Sequence, residues 1–300
     1  MCDSDARKSA EFGLQFRVES YTSVAEMLTL AHPQIVCVCS PSGCHAQHAI
    51  AALKQGCHVL CEKPMAIHAA DAVEMVNEAH QSGKRLFIVK QNRYNLPVAA
   101  VKELLVNNRL GKIHYFQINC FWNRNSSYYD NSWRGTSTLD GGTLYTQFSH
   151  FIDLLYWYLG NVQAVSGWRA NYAHKGIVDF EDTGSAALTM ESGAIGTLNW
   201  TINAYPSNIE GSFSLFGERG SVKIGGSYLD KIEYFFVENE NSNDWLNKTS
   251  ADKQNRHEEV YRAMIGALEN PSLYVVEAEE GLKSVQIIEQ IYAACPLLES

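Results

Sequence analysis

The sequence has little positive charge to spend: 24 Lys and Arg stand against 33 Asp and Glu, for a formal charge of −9. Nucleic-acid binding leaves a basic stripe and an anionic membrane calls for a polybasic patch, so neither partner is expected. Long apolar runs are also missing. None approaches the roughly 18 to 20 residues of a membrane span, and Met1-Cys2-Asp3-Ser4-Asp5 is acidic where a secretory signal would be basic. A cytoplasmic protein is expected. Cys-x2-Cys pairs are absent; Cys37-Val38-Cys39 has the wrong spacing for half of a zinc site, and no metal is expected. Cys37, Cys39, Cys57 and Cys61 lie in apolar runs and read as reduced core thiols rather than disulfides.

What is present is an ordinary globular composition: 300 residues, 46% apolar and 19% charged. At about 100 to 200 residues per domain, two domains and a cleft between them are accessible. The first ninety residues alternate between two periods. Ser23 and Glu26 form a capping-box signature for a helix over 24–30, closed by Pro33. Ile35 to Cys39 is a continuous apolar run, as in a strand covered on both faces. A helix carrying Ala46, Ala49, Ile50 and Leu53 on one face ends at Gly56, a left-handed cap. Strands at 57–61 and 86–89 flank a helix over 70–81. Strands joined by crossover helices mean a parallel, doubly wound sheet.

Beyond residue 92 the pattern changes to one helix over 98–107 and then long strands. Over 195–204, Thr197, Asn199, Thr201 and Asn203 alternate with Leu198, Trp200 and Ile202, so one face is polar and one apolar. Segments 213–216, 221–224 and 232–237 continue an antiparallel sheet, 238–255 reads as an exposed loop, and helices over 257–268 and 278–293 complete the layer. The expected fold is α/β: a Rossmann-like doubly wound parallel sheet in a cofactor domain (1–92), and an α+β domain with a large, open, mainly antiparallel sheet (93–300) for substrate binding and oligomerisation.

In open parallel sheets ligands bind beyond the carboxyl ends of the strands. Ser40-Pro41 and Glu62-Lys63-Pro64 occupy such positions, the first leading into a helix whose N-terminus favours an anion. Taken alone, Lys63 reads equally as a solvated charge. Pro41-Ser-Gly-Cys-His45, His58-Val-Leu-Cys-Glu62-Lys63-Pro64 and Gly141-Gly-Thr-Leu-Tyr-Thr-Gln-Phe-Ser-His150-Phe-Ile-Asp153 together resemble the signature segments of the glucose-fructose oxidoreductase and inositol dehydrogenase family. Gln91-Asn-Arg-Tyr-Asn95 and Tyr145-Thr-Gln-Phe-Ser-His150 are similar to its UDP-N-acetylglucosaminuronate 3-dehydrogenase branch, which serves surface-polysaccharide synthesis.

The resemblance implies hydride transfer from a sugar carbon to NAD, with Lys63 and His150 managing the hydroxyl proton. Burial would lower the lysine's pKa for that task. It implies cofactor contacts at Asp3, Ser40, Pro41, His45, Glu62, Lys63, Gln91 and Trp133. Substrate contacts are implied at Arg93, Asn95, Arg134, Tyr145, Thr146, Gln147 and His150, the two arginines serving as forks for a carboxylate or diphosphate. The expected partners are a small-molecule sugar or nucleotide sugar and further copies of the chain, as a homo-oligomeric dimer or tetramer. One departure stands out: many members carry Asp four residues before the histidine, where this chain has Thr146. Asp153, one helical turn beyond His150, is the group expected to steady the imidazole.

A dinucleotide fold opens with a strand, a Gly-x-Gly-x-x-Gly turn and a helix. No such turn occurs in this sequence. The start resembles the end of a second strand, with Asp3 in place of the ribose-binding acid, which favours NAD over NADP; roughly 30 residues, one strand–helix unit, would then be missing. A misassigned start or a fragment is the preferred account, with a truncated, non-catalytic binding module as the alternative. An NAD-assisted glycosidase is a further reading that the same fold accommodates.

Overall fold

The computed structural model describes residues 1–130, 132–226, 228–249 and 256–298. The chain opens with α1 (Ala6–Phe16), capped by the Asp5 carboxylate, which accepts from the Arg7 and Lys8 N–H groups, and α2 (Val24–Ala31), capped by Ser23. Then come β1 (Ile35–Val38), α3 (His45–Lys54), β2 (His58–Cys61), α4 (Ala69–Ser82) and β3 (Leu86–Ile88). The three strands pair in parallel in the order β1-β2-β3. Gly56, at φ +77°, reverses the chain between α3 and β2 as expected.

The second part contains α5 (Leu96–Val106), β4 (Ile113–Phe121), the short α6 (Thr143–Thr146), α7 (Ser149–Leu159), β5 (Val162–Ala170), β6 (Thr183–Met190), β7 (Ile195–Thr201), β8 (Glu210–Gly217), β9 (Gly220–Gly225) and β10 (Lys231–Val237). It closes with α8 (Ser242–Thr249), α9 (Arg256–Glu269), α10 (Ala278–Ala294) and β11 (Leu297–Leu298). The strands form one sheet in the order β10-β9-β8-β4-β7-β6-β5-β11, antiparallel except at β4–β7 and β5–β11. The alternation read in β7 holds. Leu198, Trp200 and Ile202 are buried against the helices, each aliphatic side chain contributing about 1.5–3 kcal/mol. On the other face Asn199 hydrogen-bonds Asn119 and Ser185 across neighbouring strands. That face stays open, with Tyr115, Trp168, Ile195, Phe216, Tyr234 and Phe236 exposed.

Three expectations are corrected. Residues 242–249 form a helix where a loop was expected; the rest of that segment, 250–255, lies outside the described residues. Helix α9 does not complete the large sheet: Val260, Met264 and Ala267 cover Leu60, Phe87 and Val89 of the small one. Cys57 and Cys61 are buried thiols, but Cys37 and Cys39 are exposed. Val36 and Val38 of β1 are buried, while the alternating Cys37 and Cys39 lie on the other face, which is left exposed there.

Helix α10 binds the two layers together. Its Gly281 lies so close to β3 that a Cβ would meet Ile88 Cγ1 at 2.6 Å, while Ile287, Ile288 and Ile291 are buried. The carboxyl ends of β1–β3 therefore face α6 and α7 across a fixed junction.

Candidate active site

Each apolar strand of the small sheet hands its chain to a polar loop at its carboxyl end. Those loops carry Ser40-Pro41, Glu62-Lys63-Pro64 and Lys90-Gln91. His45 fastens the first two: buried at the start of α3, its Nδ1 lies 2.7 Å from the Pro64 carbonyl and its Nε2 2.8 Å from that of Ser40. Both ring nitrogens are thus occupied by backbone, and the Ser40 hydroxyl is taken by His48. The Glu62 carboxylate accepts from the Lys63 N–H. Ser40, His45 and Glu62 shape the rim that presents Lys63.

Across the junction, the Gly141-Gly142 turn starts α6 with φ of +84° and +138°, where a side chain on Gly142 would strike Tyr292 Oη at 2.4 Å. The Leu144 N–H donates to that same hydroxyl, which donates to the buried Glu181. This bracing sets α6 so that Lys63 Nζ donates to the Thr146 carbonyl at 2.7 Å. Lys63 is partly exposed at the surface of the site, yet its ammonium is largely enclosed by protein. Burial first, then the positive charges of Lys90 and Arg124, lower its pKa to about 8 against the opposing pull of Glu62 and Asp140.

His150, in the first turn of α7, is 8% exposed, and its Nε2 lies 3.1 Å from the Gln91 amide nitrogen. Burial, with Lys63 and Lys90 nearby, holds its pKa well below the ordinary value, so the ring is neutral near pH 7. Lys63 and His150 are therefore brought together from two layers, 87 residues apart in the chain. A lysine close to neutrality beside a neutral imidazole can accept a hydroxyl proton; two fixed cations could not.

The acid one turn beyond the histidine serves other partners. Asp153 accepts two 2.8 Å hydrogen bonds from Arg93 and sits 3.3 Å from Lys90 Nζ, all three groups being buried. Lys90 and Arg93 hold its pKa at about 2 despite burial. Arg93 also donates to Tyr274 and Glu280, so its fork is spent inside the protein and does not face a ligand. Asn95 donates to the Tyr228 carbonyl, and Tyr145 is buried edge-on against Tyr292. Gln147 bridges Arg124 and Tyr128, at 2.7 and 3.0 Å. Asp3 accepts from the Asp5 N–H, while Arg134 stacks over Tyr128 and Trp133. Of the two arginines picked from sequence, Arg93 is committed to buried carboxylates, whereas Arg134 lies over aromatic rings.

Sequence reasoning missed Lys90, Arg124 and Asp140. Lys90 could have been found as a charge directly after an apolar strand. Arg124 and Asp140 sit in irregular segments, where periodicity carries no signal. Among the described residues no group of three or more His, Cys, Asp or Glu side chains could hold a metal ion, and no helix is long and apolar enough to cross a membrane.

Residues 1–90 match the oxidoreductase family with an NAD-binding Rossmann fold, and residues 98–223 match the GFO/IDH/MocA C-terminal domain. The chain belongs to the GFO/IDH/MocA oxidoreductase family. The WlbA dehydrogenase of Bordetella pertussis, solved in complex with NADH and UDP-GlcNAcA, superposes with a TM-score of 0.91 at 33% identity, over 98% of this chain and 86% of that one. The D-glucoside 3-dehydrogenase of Escherichia coli is 24% identical over 89% of this chain and 78% of its own length. The glucose-6-phosphate 3-dehydrogenase of Bacillus subtilis is 34% identical over 52% of this chain and 45% of its own.

As a GFO/IDH/MocA oxidoreductase, the chain carries its NAD-binding domain in residues 1–90. The rim at the ends of β1–β3 fits such a group. Gln91 Oε1 is buried there with no hydrogen-bond partner in the protein, which is the state of an acceptor awaiting a donor.

Proposed function

We propose that this enzyme oxidises a secondary hydroxyl of a sugar, the 3-hydroxyl of a UDP-linked N-acetylated glucuronate, with NAD as acceptor. The observation that carries the reading is the pairing of Lys63, its pKa at about 8, with a buried neutral His150. NAD, when bound, supplies the hydride acceptor. The protein's own residues do the rest: Lys63 Nζ takes the hydroxyl proton while the Thr146 carbonyl fixes its position, and His150, held against the Gln91 amide, shares or relays that proton. Ser40, Pro41, Glu62 and Gln91 would hold the cofactor, with His45 fastening the first two strand-end loops to each other, and Trp133 would add a further cofactor contact.

A uronate carboxylate or diphosphate needs cationic forks in this acidic chain. Arg134, stacked on Tyr128 and Trp133, is one; Arg124, over Trp122 and Tyr128 beside Gln147, takes the role that Arg93 cannot. The likeness to a dehydrogenase solved with UDP-GlcNAcA supports the choice of substrate. On the same reading the open sheet face is the contact between subunits.

The test is a screen of UDP-sugars and free sugars for NADH formation. A UDP-N-acetylated uronate should give the highest kcat/KM, and Lys63→Met should lower kcat by at least about 100-fold, the lower end of what a general base contributes. Undiminished turnover by that variant, or preference for an unphosphorylated neutral sugar, would refute the assignment.

A further inference from the structure

The turn before α6 contains a carboxylate that the proposed chemistry has not used. Asp140 is 1% exposed. Its Oδ2 accepts from the Gly135 N–H at 2.7 Å, which ties down the loop carrying Arg134, but its Oδ1 is buried with no hydrogen bond. An orphaned carboxylate oxygen is costly unless a nearby charge offsets it. Burial pushes its pKa up, opposed by the Thr146 side chain, the Gly135 N–H, Arg134 and Lys63. Thr146 is also the residue whose carbonyl holds Lys63 Nζ. Asp140 directly precedes the Gly141-Gly142 turn that starts α6, both glycines at positive φ.

We propose that Asp140 is a positioning residue for Lys63: a buried counter-charge that, together with the more exposed Glu62, supports the lysine's protonated form. It thereby supplies from six residues upstream of Thr146 the negative charge that a threonine cannot provide. The inference rests on Lys63 being the base. When the substrate O–H bond breaks and its proton passes to Nζ, the ammonium forms next to Lys90 and Arg124, and Asp140 stabilises that product form. The charged and titratable groups acting on Lys63 are Glu62, Lys90, Arg124 and Asp140, with His150 close by. Lys90 is already paired with Asp153, and Glu62 binds the Lys63 N–H. Asp140 is the acid left with an uncommitted oxygen.

The coupling can be read without substrate or cofactor, from the ε-carbon NMR signal of Lys63 in full-length protein labelled with [13C]lysine, assigned by its loss in Lys63→Met. In wild type the signal should titrate near pH 8. In Asp140→Asn the midpoint should fall by about one unit, the shift expected on removing one opposite charge nearby, and Asp140→Glu should restore most of it. Reciprocally, Lys63→Met should raise the midpoint of the Asp140 carboxyl, followed with [13C]aspartate. This second measurement leaves Asp140 intact and decides the matter should the Asn variant not fold. An unchanged Lys63 midpoint in folded Asp140→Asn, or an unchanged Asp140 midpoint in Lys63→Met, overturns the proposal. A wild-type Lys63 midpoint near the ordinary value of about 10.4 would instead refute the depressed base of the proposed function, and the difference between variants would still report the coupling.

Discussion

Replacing Asp153 by Asn is the most informative perturbation of the buried charge cluster. Asp153 is the shared counter-ion of Arg93, through two 2.8 Å hydrogen bonds, and of Lys90 at 3.3 Å, and all three are at most 5% exposed. Neutralising it strands Lys90 in the interior and leaves Arg93 to its ion pair with Glu280, and losing one partner of a buried pair costs about 3–5 kcal/mol. A large fraction of a typical domain's stability is therefore at stake. The pH dependence gives an independent figure. With its pKa lowered from 3.8 to about 2, Asp153 contributes roughly 2.5 kcal/mol that is fully present above the ordinary value and is lost as pH falls through about 2. Urea denaturation of wild type and Asp153→Asn at a series of pH values measures both. The variant should lose about 3–5 kcal/mol at neutral pH and show a shallower loss between about pH 4 and pH 2. Part of the neutral-pH loss should be regained at alkaline pH, because Lys90, whose pKa burial already lowers, can then shed its charge. A cost below about 1 kcal/mol, or an acid limb identical to wild type, would show that the cluster is solvated and that Arg93 is free to face a ligand after all.

The opposite sign is expected of His174. Its hydrogen bond to Asp182 and contact with the Arg124 carbonyl raise its pKa, so its contribution is full below the ordinary 6.5 and disappears as pH rises through the raised value. Urea midpoints for His174→Asn should therefore lack the decline that wild type shows over that range, and parallel declines would exclude the ion pair as its cause. The open face of the large sheet should form the subunit contact. Trp168→Asp and Phe236→Asp should both lower the mass seen in sedimentation equilibrium, and a wild type that sediments only as monomer would remove that reading.

Much of the small sheet was legible because its elements obey simple periods. The helix over 24–30 is found at Val24–Ala31, the strand beginning at Ile35 ends at Val38, and the helix over 70–81 runs Ala69–Ser82. What periodicity cannot convey is coverage. An apolar run at Ile35–Cys39 looks the same whether one face of its strand is covered or both, and here Val36 and Val38 are buried while Cys37 and Cys39 are not. Helix α9 was legible as a helix, yet the layer it packs on depends on which strands need covering. In the site, the family motifs brought Lys63 and His150 into view, but the choice between Arg93 and Arg124 turned on partners distant in sequence: Asp153 lies 60 residues from Arg93 and Gln147 23 residues from Arg124.

Those partner choices explain how an acidic chain gathers several cations at one junction. Lys63, Lys90, Arg93 and Arg124 converge on one junction of a protein with a formal charge of −9. Left unbalanced, four converging cations, the buried Lys90 and Arg93 among them, would repel one another and destabilise the region. Asp153 neutralises the inner pair, Lys90 and Arg93, and turns them into scaffold. The outer pair is balanced more loosely. Arg124 has the amide of Gln147 and the faces of Trp122 and Tyr128 rather than a carboxylate, and so keeps its charge available. Lys63 has the Thr146 carbonyl, the nearby Glu62 carboxylate and the half-satisfied Asp140. A full salt bridge to Lys63 would raise its pKa and quench it as a base; no acid at all would lower it and leave the protonated form unsupported. A carboxylate that acts on Lys63 without pairing with it gives the intermediate setting that proton transfer near neutral pH requires.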